Sequence, residues 1–241
     1  MDYLLLFCLF LVAFLYSSIG HGGGSGYLAL FALFSIAPVY MKSTALTLNL
    51  FVSAISFFSY YRGGHFRLRL IAPFLITSIP AAYLGALMHV DPRVYKIILG
   101  IFLLIAIARM LIVPRSVGEA KSRPGILPAL LIGTVLGFFS GMIGIGGGII
   151  LSPLLLLFRW ANLKETAAAS AIFIFLNSAS GLVGVFQSGY TIEPRVLLWI
   201  VAGVAGAIMG SYMGSFKLDA SKLKYLLSAV LLFASFKLLV F

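Results

Sequence analysis

Residues 143–148 read Ile143-Gly144-Ile145-Gly146-Gly147-Gly148, and residues 19–24 read Ile19-Gly20-His21-Gly22-Gly23-Gly24. Two glycine clusters so alike, one in each half of the chain, point to an internal repeat before any fold is assigned. Each cluster closes one apolar run and opens another that is too short to cross a bilayer. The apolar part of Ser25–Ile36 and the run Gly147–Phe158 hold about twelve residues each, reaching roughly 18 Å of a hydrocarbon core about 30 Å thick. The pairs 2–40 and 126–158 therefore read as helix, glycine break, short helix.

Outward from these breaks, apolar segments fall at 2–19, 25–40, 43–61, 68–90, 94–113, 126–143, 147–158, 165–187, 196–215 and 223–241. Lys42-Ser43-Thr44-Ala45 matches Lys164-Glu165-Thr166-Ala167 at nearly the separation of the glycine clusters, Gly64-His65 matches Gly189-Tyr190, and Asp91 matches Asp219. Each half thus holds five segments. The first repeat covers 1–113, a cytoplasmic linker 114–125, and the second repeat 126–241.

With 62% hydrophobic and 10% charged residues among 241, and a mean hydropathy of +1.13, the chain is far too apolar for a soluble domain of its size. The single cysteine, Cys8, excludes an intrachain disulfide and a multi-cysteine metal site. Asp2 stands where a secretory leader carries basic residues, so the first segment reads as a retained helix.

The net charge of +11 is scattered between apolar runs, a pattern of topology and not a nucleic-acid footprint. If each glycine-broken pair returns to its starting side, one set of loops collects Arg62, Arg67, Arg69, Arg109, Arg115, Lys121, Arg123, Arg159, Lys164, Lys217, Lys222 and Lys224. The other set holds Lys42, Arg93, Lys96, Arg195 and Lys237, twelve against five. If each pair crosses once, the division is nine against eight and carries no orientation signal. Hairpins are therefore expected, and a hairpin plus three spans per half inverts the second half. The fold class is an all-α integral membrane protein of two inverted-topology repeats, with both termini outside.

At each break Gly22, Gly23 and Gly24, or Gly146, Gly147 and Gly148, begin a short helix whose first amides lack intrahelical acceptors. Inversion aims two such ends at the midplane, where an anion fits. Close helix packing is the other use of glycine, and it accounts for Gly133, Gly137 and Gly141 and for Gly206, Gly210 and Gly214. Asp2, Asp91, Glu119, Glu165, Glu193 and Asp219 fall at segment ends or in loops, which disfavours a cation carrier and a carboxylate-based hydrolase. His21 is the titratable side chain beside a break, placed to donate to an anion or to couple transport to protons; its repeat mate is Ile145. His65 and His89 stand apart from it.

Ser25 begins the first short helix, Thr44, Thr47, Asn49 and Ser53 lie on the third segment, and Thr166, Ser170, Asn177 and Ser178 on its mate, with Asn177 aligned to Ser53. The asparagines weigh most, because an unpaired amide is costly to bury. Lys42 and Lys164 read as interfacial, snorkelling lysines.

Gly20-His21-Gly22-Gly23-Gly24, Gly141-Met142-Ile143-Gly144-Ile145-Gly146-Gly147-Gly148 with Pro153, and Lys164-Glu165-Thr166-Ala167-Ala168-Ala169-Ser170 leading to Asn177-Ser178-Ala179-Ser180-Gly181 together resemble the TauE/SafE sulfite exporter family over nearly the full length. That resemblance implies export or uptake of sulfur-containing anions such as sulfite or sulfonates in a prokaryotic inner membrane. The residues themselves support a secondary transporter of a small anion, with His21, Gly22, Gly23, Gly24, Ser25, Asn49, Ser53, Gly146, Gly147, Gly148, Thr166, Ser170 and Asn177 as candidate substrate contacts. No cofactor, metal or catalytic residue is expected; the partners are a small anion and the bilayer, not nucleic acid, and a homo-oligomer stays open. A passive anion channel shares these features, and an intramembrane transferase would need a base for which His21 alone qualifies.

Overall fold

The computed structural model describes residues 2–112, 124–189, 191–216 and 236. Every regular element among them is a helix: α1 (Asp2–Ser17), α2 (Gly24–Leu33), α3 (Pro38–Arg62), α4 (Leu68–Leu87), α5 (Pro92–Ile112), α6 (Ile126–Ile143), α7 (Gly148–Leu157), α8 (Leu163–Gln187) and α9 (Val196–Phe216). The expected segment 223–241, apart from residue 236, and linker residues 114–123 lie outside the described residues, as does Asp219. The segment expected over 25–40 stops early. Ser35 turns left-handed at φ 58°, and Pro38, whose fixed φ suits a first helical position, starts α3.

α3, α4, α6, α8 and α9 are each long and apolar enough to cross a membrane. Their outward residues confirm the solvent: Ile76, Leu84, Leu131, Val135, Val201 and Ile208 are all more than half exposed, which water would penalise and lipid does not. α3 and α8 are the most buried of the long helices and pack on each other at the centre. The chain is a multi-pass membrane protein.

The halves share a backbone register. α2 and α7 start 124 positions apart, with left-handed residues at Gly20 and Gly144, Gly23 and Gly147, and Ser35 and Arg159 keeping that interval. α3 and α8, both 25 residues, start 125 apart, as do Gly64 and Gly189 beyond them. One residue is inserted before α8. The lysines matched in the sequence are consequently out of register: Lys42 corresponds to Ala167, and Ser53 to Ser178, not to Asn177.

Glycine ladders fix the pairing of the other helices. Gly133, Gly137 and Gly141 of α6 lie against the carbonyls of Phe74, Ser78 and Ala82 of α4, and Gly206, Gly210 and Gly214 of α9 against those of Phe10, Phe14 and Ser18 of α1. A Cβ at any of them would strike a main-chain oxygen, so the backbones approach as only glycine permits. Loops gather at two ends. Arg67 pairs with Glu165 at 3.0 Å, joining the α3–α4 and α7–α8 loops. At the other end Ser43 donates to the Thr191 carbonyl at 2.5 Å and His89 Nε2 faces the Ser188 carbonyl at 3.2 Å, joining the starts of α3 and α5 to the α8–α9 loop.

Candidate functional site

The two breaks meet inside the bundle. A Cβ on Gly24 would collide with the Ile145 carbonyl, and one on Gly22 would come 2.8 Å from both Asn49 Oδ1 and Ile174 Cγ2. Gly146 faces the same two side chains, at 3.1 Å from Asn49 Nδ2 and 2.7 Å from Ile174 Cγ2. Asn49 of α3 and Ile174 of α8 occupy equivalent register positions, so the crossing has one polar wall and one apolar wall.

Local sequence explains the breaks. Gly23 (φ 97°) and Gly147 (φ 74°) cap α2 and α7 in a left-handed conformation that side chains resist, and neither supplies a capping side chain. The start of α8 is treated differently: Asn162 accepts from the Glu165 amide at 2.9 Å while Glu165 accepts from the Asn162 amide at 3.0 Å. No side chain caps the first amides of the two short helices. A carbonyl ahead of each break is held by a tyrosine, Tyr60 donating to Ser18 O and Tyr95 to Ile143 O, both at 2.8 Å.

His21, 2% exposed, bridges the halves. Its Nδ1 faces the Ile19 carbonyl at 3.0 Å and therefore carries a proton, while Nε2 meets Ser152 Oγ at 2.9 Å. Ser152 Oγ also lies 3.0 Å from the Gly148 carbonyl and 2.6 Å from Ser170 Oγ. The chain His21–Ser152–Ser170 links the first break to α7 and α8. Ser152 was not singled out in the sequence; its signal was its place one turn after Gly148. At the equivalent positions stand Ile145, Leu28 and Ala45, all buried and apolar.

Asn49 is the polar side chain that faces both breaks. It is fully buried; Nδ2 reaches only toward Gly144 O, at 3.4 Å, and Oδ1 makes no hydrogen bond. Ser53, one turn on, donates to the Asn49 carbonyl at 2.5 Å, and Ser25 shares a 2.7 Å bond with Tyr16. Among the described residues no hydrogen bond joins Thr166 or Asn177 to a glycine cluster. Asn177 Nδ2 donates to Phe173 O at 2.7 Å, its Oδ1 and the Thr166 hydroxyl being buried without partners.

Lys42 overturns its interfacial reading. It is 3% exposed, its backbone lies against Gly144, and Nζ donates to the Ala86 carbonyl at 2.7 Å. Lys164, one residue into α8, is exposed as expected. Of the described carboxylates, Glu193 is buried in the α8–α9 loop and paired with Arg195 at 2.7 Å. At the opposite end burial pushes the His65 imidazole below its ordinary pKa, Lys164 adding to the effect and Glu165 opposing it.

A family model described as Sulfite exporter TauE/SafE matches residues 5–238. The chain is 36% identical to a probable membrane transporter protein, y4hK, of Sinorhizobium fredii over 95% of each chain. It is 27% identical to a probable membrane transporter protein of Methanocaldococcus jannaschii, over 95% of this chain and 91% of the other, and 32% identical to the probable membrane transporter protein ORF9 of a Sinorhizobium species, over 88% and 80%. No solved structure matches the chain.

Proposed function

The chain belongs to the sulfite exporter TauE/SafE family of membrane transporters, and from that premise we propose that it carries a small sulfur-containing oxyanion or organosulfonate across a prokaryotic inner membrane by alternating access. The halves 1–113 and 126–241 act as inverted repeats. Supporting this, α1 runs beside α9 from the end that holds the α8–α9 loop, while α6 runs beside α4 from the end that holds the α3–α4 loop. The two hairpins then enter from opposite faces and meet at Gly24 and Ile145. Arg62, Arg67, Arg69, Arg159 and Lys164 gather at one end, which the positive-inside rule assigns to the cytoplasm.

One observation carries the anion site: a fully buried amide, Asn49, stands between two uncapped helix starts with an unbonded oxygen. A buried polar atom left unpaired costs about 1–3 kcal/mol, so its presence calls for a functional reason. A half-turn of the amide exchanges donor and acceptor, which suits an oxyanion, ionised or partly protonated. The site is closely packed, so a bound anion displaces Asn49 and Ile174 or parts the halves, as rocking motions do. Both ring nitrogens of His21 are engaged in bonds that tie elements together, which favours transport over group transfer at this site.

The test is anion-dependent thermal stabilisation of the purified protein with sulfite, sulfate, thiosulfate, taurine and sulfoacetate. A ligand at a hundred times its Kd adds about 2.7 kcal/mol to the state that binds it. Asn49→Leu should fold at least as stably, because it removes an unpaired oxygen, yet lose that stabilisation and the flux. An Asn49→Leu protein that still transports overturns the site.

A further inference from the structure

Tyr27 stands on α2 one turn after Gly23, so its side chain leans back over the first break. Its hydroxyl oxygen comes 2.8 Å from where a Gly23 Cβ would be, and Gly23 sits between the two glycines that face the Asn49 amide, Gly22 and Gly24. Tyr27 is fully buried, yet that hydroxyl makes no hydrogen bond. Tyr16, whose ring packs against Gly26, has its own hydroxyl engaged with Ser25 at 2.7 Å. Two unbonded side-chain oxygens, Asn49 Oδ1 and Tyr27 Oη, therefore border one run of three glycines.

The other half of the repeat fills the same place without a hydroxyl. Leu151 holds the equivalent position on α7, four residues after Gly147, and closes the same backbone bond: Tyr27 N donates to Gly23 O at 2.9 Å and Leu151 N to Gly147 O at 3.3 Å. Both side chains are fully buried. An aliphatic residue thus satisfies the fold at one break, while the other carries a polar atom whose desolvation no protein group offsets. We propose that Tyr27 is a second ligand-binding residue of the crossing, its phenolic hydroxyl donating to the same small oxyanion that meets the Asn49 amide. This rests on the transport reading above. A neutral phenol donates to an oxyanion whichever way the amide is turned, so Tyr27 supplies the fixed donor and Asn49 the adaptable group. Parting of the halves at Gly24 and Ile145 opens this glycine run to the anion.

Packing by the ring alone is the competing role, and removal of one oxygen separates the two. Tyr27→Phe keeps the ring and should melt no lower than wild type, because no bond is lost; Tyr60→Phe, which gives up its bond to Ser18 O, should melt lower. The Tyr27→Phe protein is titrated with sulfite, sulfate, thiosulfate, taurine and sulfoacetate. Each of these that stabilises wild type should bind it about ten- to hundredfold more weakly, the worth of a hydrogen bond to a charged group, and half-saturation of flux into proteoliposomes should rise by the same factor. Unchanged affinity overturns the assignment. So does a melting temperature that falls as far as that of Tyr60→Phe, since the hydroxyl would then be bonded within the fold. Binding lost in Asn49→Leu and kept in Tyr27→Phe removes Tyr27 from a site that otherwise stands, whereas wild type that no anion stabilises counts against the transport reading beneath it.

Discussion

The first and second glycine breaks have the same backbone and different chemistry. Gly20, Gly23, Gly144 and Gly147 repeat the same left-handed turns, both short helices start uncapped, and a tyrosine holds a carbonyl ahead of each break. Around the first break, however, stands the buried hydrogen-bonded chain His21–Ser152–Ser170, and around the second Ile145, Leu28 and Ala45. Lysine behaves in the opposite sense: Lys42 backs the second break, Ala167 the first. The repeat specifies a shape, and unshared side chains give the two approaches to it different polarity.

The largest effect expected separates the breaks by what their glycines touch. A Cβ on Gly24 meets a main-chain carbonyl and the Asn49 amide, whereas one on Gly148 meets the flexible end of Ile174. Gly24→Ala should cost about 3 kcal/mol, the upper range for overpacking, and Gly148→Ala about 1 kcal/mol or less. Thermal unfolding of the two would show the comparison to be empty if the losses are equal. Glycine substitutions at 23 and 147 are poor probes of anion binding, since their positive φ makes any side chain a folding problem first.

A smaller effect follows from making the first break resemble the second. His21→Ile should cost about 1–2 kcal/mol for the hydrogen bonds lost. The triple change His21→Ile, Ser152→Leu, Ser170→Ala copies the apolar set of the other side and should recover part of that stability. Flux should fall in both. Full transport by the triple variant would mean the polar chain is only packing.

The smallest effect lies under the first break, where His65 contacts Tyr60 at a ring distance of 6.5 Å. Burial favours its neutral form in the folded protein. The folded pKa is below the unfolded one, so the contribution is full above about pH 6.5 and is lost as pH falls through the folded value. His65→Gln should flatten the melting temperature over that acid range and leave the second break untouched.

Much of this fold was legible from residues 19–24 and 143–148, because a glycine run inside an apolar stretch has few meanings in a bilayer. α6 was placed at its observed bounds, and the packing role given to Gly133, Gly137 and Gly141 is the one they perform. The site was legible in part. Asn49 and His21 stood out because a polar group among apolar neighbours is expensive, and both meet at the crossing. Lys42 and Lys164 misled, because a short match slipped by three residues against the helix starts. Asn162 and Glu165, spaced as a capping box, marked the true start of α8.

Composition and order alone determined that this is a membrane chain, broken twice by glycine, built from two like halves. Those properties are local: transfer of apolar residues from water and the conformational freedom of glycine act wherever the residues stand. The tertiary structure alone decided that Ser152 meets His21 across 131 positions, and that Lys42 turns inward to a cavity instead of outward to the interface. Such contacts depend on the rotation and axial register of helices packed carbonyl to glycine, and a shift of one residue turns a helix face by about 100°. No local pattern carries that angle.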